Sequence, residues 1–486
     1  MKSRPNILLI TTDQQRADCL GIAQSTHPVM TPHLDQLANE GIQFSRTYVD
    51  CPLCVPSRTT IMTGRSAYNH GVVSNGHYRI PEVAEDTLPG RLLSAGYQTH
   101  AAGKMQFTPP RNRNGFERMR LVPEDYVNFL ETTEYRGTYR GHGVGGNEVY
   151  PVFSAAPIRY TSTHWTVEES IDFLRQRDQD TPFFMWTSFE APHPPLDPPE
   201  SFVRLYDGIP ISDPVQSDWS GGESSPEWVR ARKRSHKLDM LPPHIISMAR
   251  KHYYAQITHI DYELGRLFGE LQGQKLWDNT LVIFTSDHGE MLGDHGLFHK
   301  TCFYEPSTRV PFLLKPPKGY GGQLSPSEVV DTPITLADLY PTVLAYAGCL
   351  KDEDRNRDGR SLLDMESIRK EREWVFGYMN DRDGLYMVAN KDWKYLYYVC
   401  GGQEQLFYLK EDPFEQQELS NSSAEHCRAQ LLEMREALAV RFPELREDGM
   451  AGASQLKQTE PRYKESELTA SNPFAWRGPI RYGGGW

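Results

Sequence analysis

The segment NILLITTDQ at residues 6–14 decides the fold class, because its apolar run ends abruptly in polar side chains. The apolar runs FFMW at residues 183–186 and LVIF at residues 281–284 also end before polar clusters. Short continuous apolar runs are typical of strands that are buried on both faces of a parallel sheet. In open sheets of this kind, ligands bind beyond the carboxyl ends of the strands. We therefore expect the polar clusters after the three runs to meet at one site.

Helix-like segments alternate with these runs, at residues 32–40, 166–176 and 255–271. This alternation predicts an α/β protein in which helices sandwich a large, mixed and mostly parallel sheet. Two segments with little periodicity, residues 135–160 and 197–243, are predicted to be long loops that form lids or walls of a site.

The composition also predicts a second, smaller domain. A helix-like stretch at residues 424–442 follows three strand-like runs, at residues 374–378, 385–388 and 395–399. We expect a catalytic domain at residues 1–365. Residues 366–486 are expected to form a small α+β domain with an antiparallel sheet, a helix and an extended tail. The strongly charged segment at residues 351–360 is predicted to be a linker.

Composition argues against several classes of protein. The chain has 486 residues and a formal net charge of −12, which disfavours general nucleic-acid binding. Its seven cysteines have no repeating spacing, so most are predicted to be buried thiols rather than a disulfide framework. We find neither a signal peptide nor a run of about 18 apolar residues that could span a membrane. The expected location is cytoplasmic, or periplasmic or secreted if a leader has been removed.

The segment CPLCVPSR at residues 51–58 is the richest in chemistry. Pro56 suits the first turn of a helix, so Cys54 is expected at a helix N-terminus with Arg58 close by. That environment favours a thiolate, and its N–H groups could bind a sulfate or phosphate oxygen. Cys51-x-x-Cys54 could instead be a redox or metal motif, and Cys54 could be an ordinary buried thiol. Spacing alone leaves these alternatives open.

This segment resembles the signature of the type I sulfatases, a family within the alkaline phosphatase superfamily. The resemblance rests on Cys54-Val55-Pro56-Ser57-Arg58 and on Thr63-Gly64-Arg65. Other motifs similar to those of the family follow in its order, at residues 6–13, 96–104, 192–194, 285–290, 300–311 and 406–415. The resemblance implies an alkaline phosphatase-like sheet and oxidation of Cys54 to formylglycine by a maturation enzyme. In the family, the hydrated form of this aldehyde is the nucleophile.

The resemblance also implies one divalent cation. Its ligands would be Asp13, Gln14, the modified Cys54, Asp287 and His288. Mostly hard oxygen ligands suit Ca²⁺, with Mg²⁺ or Mn²⁺ as alternatives. The family often has a second Asp where Gln14 stands and an Asn where His288 stands, so the metal is left open.

Further catalytic residues are implied by position in the family motifs. Arg58, Lys104 and Lys300 match residues that clamp the sulfate oxygens and neutralise charge in the transition state. His193 matches the residue that gives a proton to the leaving alkoxide, together with Lys300. Lys104, His193 and Lys300 therefore also bind substrate, and His70 and His77 are further candidates for substrate contacts. Gln106 stands where the family commonly has a His, so the base for sulfate release is not identified.

We therefore expect hydrolysis of a sulfate monoester, and the family favours a sulfated saccharide, such as a glycosaminoglycan or another polysaccharide. Aromatic and Arg side chains in the predicted loops, such as Tyr139-Arg140, could stack on sugars. The alternative is a phosphonate monoester or phosphodiester hydrolase, which uses the same site. A binding module with unmodified Cys54 and a thiol–disulfide protein are competing classes. Neither nucleic acid nor membrane is an expected partner, and an oligomer is left open.

Overall fold

The first apolar run forms strand β1 (Asn6–Asp13), in which every residue is buried. The computed structural model describes residues 4–23, 25–76, 79–80, 83–221, 225–236, 241–320, 323–379, 384–446 and 456–460. The other two runs lie in β6 (Phe183–Pro192) and β7 (Thr280–Ser286), and β1 pairs in parallel with both. The three strands end side by side, so the polar residues after them share one edge of the sheet.

Further strands extend this sheet on both sides: β2 (Ile42–Phe44), β4 (Gln98–Gly103), β5 (Arg118–Leu121), β9 (Phe312–Lys315) and β10 (Glu328–Val330). The resulting eight-stranded sheet has the order β10-β2-β9-β7-β1-β6-β4-β5. Strand β9 runs antiparallel to its neighbours β2 and β7, whereas the other pairs are parallel. The predicted mixed, mostly parallel sheet is thus confirmed. A small three-stranded sheet lies beside it, formed by β3 (Thr47–Tyr48), β8 (Arg309–Val310) and β11 (Ile334–Thr335).

Helices cover both faces of the large sheet. Successive side chains of a strand point to opposite faces, so neighbouring apolar residues of β1 pack against different helices. Leu8 and Ile10 pack with α1 (Pro32–Glu40), α6 (Ser162–Gln176) and α9 (Pro243–Gly273). Ile7 and Leu9 pack with α2 (Cys54–Thr63), α4 (Leu88–Ser94) and α11 (Leu339–Tyr346). Burial on both faces explains why the strands carry continuous apolar runs.

Other described helices connect or flank these layers: α3 (Ala67–His70), α5 (Glu124–Glu131), α7 (Glu200–Arg204), α8 (Glu227–His236), α10 (Glu305–Thr308) and α12 (Met365–Glu371). Two of them, α7 and α8, interrupt the predicted loop at residues 197–243. Within residues 135–160 the structure has only a short 3-10 helix, Ile158–Tyr160. None of the described helices combines the length and the apolar character needed to cross a membrane.

The C-terminal part is an antiparallel sheet with one long helix. Its strands are β12 (Val375–Met379), β13 (Leu385–Ala389), β14 (Trp393–Tyr398) and β15 (Gln403–Tyr408). Helix α13 (Glu425–Arg441) packs on one face, where its Met434 and Leu438 share a core with Tyr395. On the other face Leu396 and Phe407 contact Tyr304 of the N-terminal region. The predicted small α+β unit is present, with one strand, β15, that the apolar pattern did not indicate as a strand.

The segment at residues 351–360 is not a linker, contrary to the prediction. Asp354 is buried, and Arg91 donates to both of its carboxylate oxygens at 2.8 and 3.1 Å. Met365 and Ile368 of α12 lie in a core of the large sheet, and the first C-terminal strand begins at Val375. The boundary between residues 365 and 366 stays a prediction. The tail expected from residue 449 is described only at residues 456–460, where Leu456 and Thr459 form isolated bridges with Arg446 and Cys400, and its other residues lie outside the described part of the chain.

Candidate active site

Four predicted residues meet where β1 and β7 end. Ligand atoms of Asp13, Cys54, Asp287 and His288 all lie within 4.8 Å of one another. Sγ of Cys54 is 3.2 Å from Nε2 of His288 and 3.8 Å from Oδ1 of Asp13. All four side chains are buried. The expected convergence of the polar clusters at the carboxyl ends of the strands is therefore observed.

Cys54 reaches this cluster because it is the first residue of α2, with Pro56 in the first helical turn. Burial and Asp13 raise the pKa of its thiol, but Lys300 and His288 outweigh them, and the pKa lies below the usual value. A helix N-terminus favours negative charge in the same way. Cys51 instead is buried in an apolar cluster with Phe303, so the two cysteines have different environments.

In both Asp13 and Asp287, one carboxylate oxygen forms an ion pair with a basic side chain. Lys104 Nζ lies 2.7 Å from Oδ2 of Asp13, and Arg58 Nε lies 2.9 Å from Oδ2 of Asp287. Arg58 is held in this position by Ser188 Oγ, which accepts from its guanidinium at 2.8 Å. Burial raises the pKa of Asp13, but Lys104 and neighbouring cationic groups hold it well below its usual range. Asp13 is therefore anionic at neutral pH.

The other oxygens of these carboxylates fit a cation site. His288 Nε2 lies 3.7 Å from Oδ1 of Asp13 and 3.7 Å from Oδ1 of Asp287. The two Oδ1 atoms thus converge on the side where Cys54 Sγ also lies. Two carboxylates, an imidazole and residue 54 form a donor set that suits a divalent ion such as Ca²⁺, Mg²⁺ or Mn²⁺.

Lys300 and His193 form a hydrogen-bonded pair. Lys300 Nζ donates to His193 Nε2 at 2.8 Å, and His193 Nδ1 donates to the carbonyl oxygen of Pro194 at 2.7 Å. Burial, Lys300 and Lys104 all lower the pKa of His193, and it lies well below its usual value. The neutral imidazole therefore carries its proton on Nδ1, and the proton nearest to Nε2 belongs to Lys300.

Gln14 is oriented by two charged neighbours. Its Oε1 accepts from Lys300 Nζ, and its Nε2 donates to Oε2 of Glu290. The other oxygen of Glu290 accepts the backbone N–H groups of Leu292 and His299, at 2.8 and 2.5 Å. Because a carboxylate only accepts, Glu290 determines that the amide oxygen of Gln14 faces Lys300.

Three candidates behave differently from the others. The structure does not bring His70 into the cluster: its Nε2 lies 3.2 Å from the Thr60 hydroxyl, and its Nδ1 accepts the Val72 N–H. Burial lowers the pKa of His70 to about 4, so it is a neutral structural residue. His77 lies outside the described residues. The buried Oε1 of Gln106 has no hydrogen-bond partner among the described residues, and this amide supplies no base.

Sequence reasoning missed two residues of the site. Ser188 lies at the end of β6 and holds Arg58, while Glu290 follows His288 by two positions and orients Gln14. Both were part of polar clusters that follow apolar runs. That position was the only available signal, because neither residue type identifies a partner by itself.

Solved structures share this architecture. The phosphonate monoester hydrolase of Agrobacterium radiobacter superposes with a TM-score of 0.72 at 26% identity, covering 92% of this chain and 99% of that one. A structure in complex with its substrate D-glucosamine-2-N,6-O-disulfate has a TM-score of 0.70 at 20% identity, covering 92% of this chain and 100% of its own. The second likeness shows the fold.

Comparison of the amino-acid sequence with known families identifies the family as well as the fold. The sulfatase family model matches residues 5–349, and the model of the N-sulphoglucosamine sulphohydrolase C-terminal region matches residues 293–441. An arylsulfatase of Clostridium perfringens is 33% identical over 488 aligned positions, covering 94% of this chain and 98% of its own. A match of this extent, together with the clustered residues, shows that the chain belongs to the sulfatase family of sulfuric ester hydrolases.

Proposed function

We propose that this hydrolase cleaves a sulfate monoester of a saccharide, using a formylglycine that is formed from Cys54. The observation that carries the proposal is the position of Cys54, whose Sγ lies 3.2 Å from His288 Nε2 and 3.8 Å from Asp13 Oδ1. Both Lys104 and Lys300 are close enough to Cys54 to interact with it electrostatically. A nucleophile at residue 54 would therefore be close both to an anionic ligand set and to two ammonium groups.

The same ligand set would hold one divalent cation, which we propose to be Ca²⁺, with Mg²⁺ and Mn²⁺ as alternatives. Its ligands would be Asp13, Gln14, Asp287, His288 and the modified residue 54. When both groups are present, the cation would supply Lewis-acid polarisation of the sulfate, and the hydrated aldehyde would supply two hydroxyls on one carbon.

Basic side chains of the protein stabilise charge in the transition state and donate the proton to the leaving group. Lys104 and Arg58 place positive charge beside Asp13 and Asp287, where sulfate oxygens gain negative charge in the transition state. The hydrogen-bonded pair of Lys300 and His193 can deliver one proton to the oxygen of the leaving alcohol. The net reaction consumes one water and converts the ester into the alcohol and hydrogen sulfate.

Burial of the motif supports an order of maturation. Cys54 and Arg58 are 1% and 2% exposed, and Pro56 is buried between them. A maturation enzyme that reads these residues needs them exposed, so we propose that oxidation of Cys54 precedes folding. Co-expression with the maturation enzyme should then yield the aldehyde, whereas treating the folded protein with it should leave a thiol.

A mass measurement combined with an activity assay tests the proposal. The peptide that contains Cys54 should show the mass change of a thiol replaced by an aldehyde, and the protein should release sulfate from 4-nitrophenyl sulfate. Cys54→Ala should abolish turnover and retain measurable sulfate binding, because Lys104 and Lys300 are unchanged. Turnover by Cys54→Ala at the wild-type rate would refute the role of residue 54.

A phosphonate monoester hydrolase is the second candidate, favoured by the 26% identical phosphonate monoester hydrolase of Agrobacterium radiobacter. Parallel kcat/KM values for 4-nitrophenyl sulfate and 4-nitrophenyl phenylphosphonate separate the two. A higher kcat/KM for the sulfate supports the first proposal, and a higher value for the phosphonate supports the second.

A further inference from the structure

Gln14 has a backbone conformation that residues other than glycine rarely adopt. Its φ is 75°, in the left-handed region, where the Cβ of an L residue comes close to a carbonyl oxygen. The residue is buried, and its amide reaches Lys300 and Glu290 from this backbone position. A conformation of this kind persists only where the surrounding contacts hold it. The contacts of the Gln14 backbone therefore determine where its side chain lies.

The hydroxyl of Tyr253 closes the turn that contains Gln14. It donates to the carbonyl oxygen of Gln14 at 2.7 Å and accepts from the backbone N–H of Arg16 at 3.0 Å. A carbonyl only accepts and an N–H only donates, so the geometry determines both roles of the hydroxyl. One side chain thus joins the backbone groups on the two sides of residue 15.

Tyr253 can hold this turn because it belongs to a long helix that packs on the sheet. Helix α9 has 31 residues, and the side chain of Tyr253 is buried in an apolar cluster with Tyr206 and Ile257. Packing of the ring fixes the position of the hydroxyl. A phenylalanine at this position would keep the packing of the ring and lose only the two hydrogen bonds.

The loop after β7 holds the rest of the turn. The N–H of Gln14 donates to Oδ1 of Asp287 at 3.1 Å. The guanidinium of Arg16 donates to Oδ2 of Asp294 at 2.7 Å and to the carbonyl oxygen of Met291 at 3.2 Å. These contacts hold the N–H of Gln14 and the side chain of Arg16. The contact from Tyr253 holds the carbonyl of Gln14, which lies between them along the chain.

We propose that Tyr253 is a positioning residue for Gln14. Its hydroxyl keeps Gln14 in the left-handed conformation, so that the amide oxygen faces Lys300 and the cation site. Glu290 sets which way the amide is turned, whereas Tyr253 sets where the backbone carries it. Tyr253 acts through Gln14 and is not one of the proposed cation ligands. This inference rests on the proposed function, in which Gln14 is a ligand of the divalent cation.

Calorimetric titration of Ca²⁺ into the chelator-treated protein tests the proposal, with Mn²⁺ as the second probe. Tyr253→Phe should raise the dissociation constant of the cation about tenfold, since losing one buried hydrogen bond has an effect of this order. Tyr206→Phe is the matched control. The Tyr206 hydroxyl is also buried, accepts from the backbone N–H of Met30 at 3.1 Å and pairs with the Thr258 hydroxyl at 2.6 Å. This variant loses similar contacts away from Gln14, so its dissociation constant should stay within twofold of the wild-type value.

A double-mutant cycle separates positioning from a general loss of stability. Gln14→Gly removes the side chain that Tyr253 is proposed to position, and glycine adopts a φ of 75° without steric strain. Asp13, Asp287 and His288 still offer ligand atoms in this variant. Adding Tyr253→Phe to Gln14→Gly should therefore raise the dissociation constant less than threefold. A tenfold rise in both backgrounds overturns the proposal, and so does a dissociation constant of Tyr253→Phe within twofold of the wild-type value.

Urea unfolding checks that the variants fold. Tyr253→Phe and Tyr206→Phe should lose similar stability, so stability alone predicts no difference in their cation affinity. If Tyr253→Phe does not fold, the double variant with Gln14→Gly should fold, because glycine removes the strain at residue 14. If neither folds, Tyr253 serves the core rather than Gln14, and the proposal is overturned.

The proposed function can fail separately. If the wild-type protein with an aldehyde at residue 54 releases no sulfate from 4-nitrophenyl sulfate, or binds neither Ca²⁺ nor Mn²⁺, the proposed function itself is wrong. If it releases sulfate and binds the cation, but Tyr253→Phe binds the cation as tightly as Tyr206→Phe, only the role of Tyr253 is wrong.

Discussion

Replacing Glu290 by Gln tests how the protein orients Gln14 beside Lys300. Glu290 is 2% exposed, and its carboxylate accepts three N–H groups: one from the Gln14 amide and two from the backbone of Leu292 and His299. A glutamine at this position has one oxygen and one NH₂ group. Whichever way its amide points, a donor then faces another donor, either at Gln14 or at the two backbone N–H groups.

The size of the effect follows from this conflict. Leaving a buried donor without an acceptor costs about 1–3 kcal/mol. The alternative is that Gln14 turns over, in which case its NH₂ group faces the ammonium of Lys300 and the same conflict moves there. In Glu290→Gln the side-chain arrangement of the wild type is therefore less favourable by about 1–3 kcal/mol. If catalysis needs that arrangement, kcat/KM falls by roughly 5- to 150-fold. In the fraction of molecules in which Gln14 turns over, cation affinity should fall as well, because the Gln14 oxygen no longer faces the site.

The assay compares kcat/KM on 4-nitrophenyl sulfate and the cation dissociation constant for the wild type, Glu290→Gln, and the double variant Gln14→Glu/Glu290→Gln. The double variant exchanges the two groups. Its new carboxylate accepts from Lys300 and from the amide at position 290, whose oxygen still accepts the backbone N–H groups. We expect it to regain a large part of the lost kcat/KM. Wild-type values in Glu290→Gln, or no recovery in the double variant, would show that the amide orientation does not depend on Glu290.

Three further predictions concern stability and charge. Burial raises the pKa of Asp261 from 3.8 to about 7, so the folded state holds a proton that the unfolded state releases above about pH 4. As the pH rises from 4 to 7, this group should lower the free energy of unfolding by up to about 1.4 kcal/mol per pH unit. Asp261→Asn should flatten that slope in urea unfolding measured at several pH values. An unchanged slope would contradict the raised pKa of Asp261. Gly64→Ala should destabilise more than Gly71→Ala in thermal unfolding: both have positive φ, 65° and 74°, but only at Gly64 would a Cβ lie 2.8 Å from Tyr340. Arg58→Lys should lower kcat/KM at least about tenfold. Arg58 donates to the Asp287 carboxylate, the Lys104 carbonyl and the Ser188 hydroxyl, which a single ammonium cannot reach together. Equal activity of the two proteins would show that these three hydrogen bonds are not needed for catalysis.

The apolar pattern predicted the central sheet and failed where polar residues are buried. The first run became β1, and helix α1 spans Pro32–Glu40 as predicted. Strand β15 begins with Gln403-Glu404-Gln405, a polar sequence. Gln405 is nevertheless buried, and its Oε1 accepts a hydrogen bond from the Tyr304 hydroxyl at 2.6 Å. Likewise, the charged segment around Asp354 looked like a linker because its partner Arg91 is distant in sequence. Such long-range pairs are invisible to a local pattern.

The motifs placed the charged residues of the site, but not the orientation of its neutral groups. Asp13, Cys54 and Asp287 could be grouped from sequence because each is tied to a strand end or to the motif of α2. His70 could not be assigned, because only the fold shows that both of its ring nitrogens are used internally.

The topology separates the reaction from the choice of substrate. Asp13 ends β1 and Asp287 follows β7, two strands in the middle of the sheet whose pairing on both sides fixes their backbone. The cavity beside His193 is lined instead by α9 and by the loop at residues 135–160, which contribute His259 and Tyr139. A change at a strand end alters the geometry for every substrate, because the sulfate group is common to all of them. In the proposed function the alcohol leaves on the side of His193, so a change in this cavity would alter the contacts of the alcohol. Variants of the cavity wall should therefore change the ratio of kcat/KM between substrates, whereas variants at the strand ends should lower kcat/KM for all substrates by a similar factor.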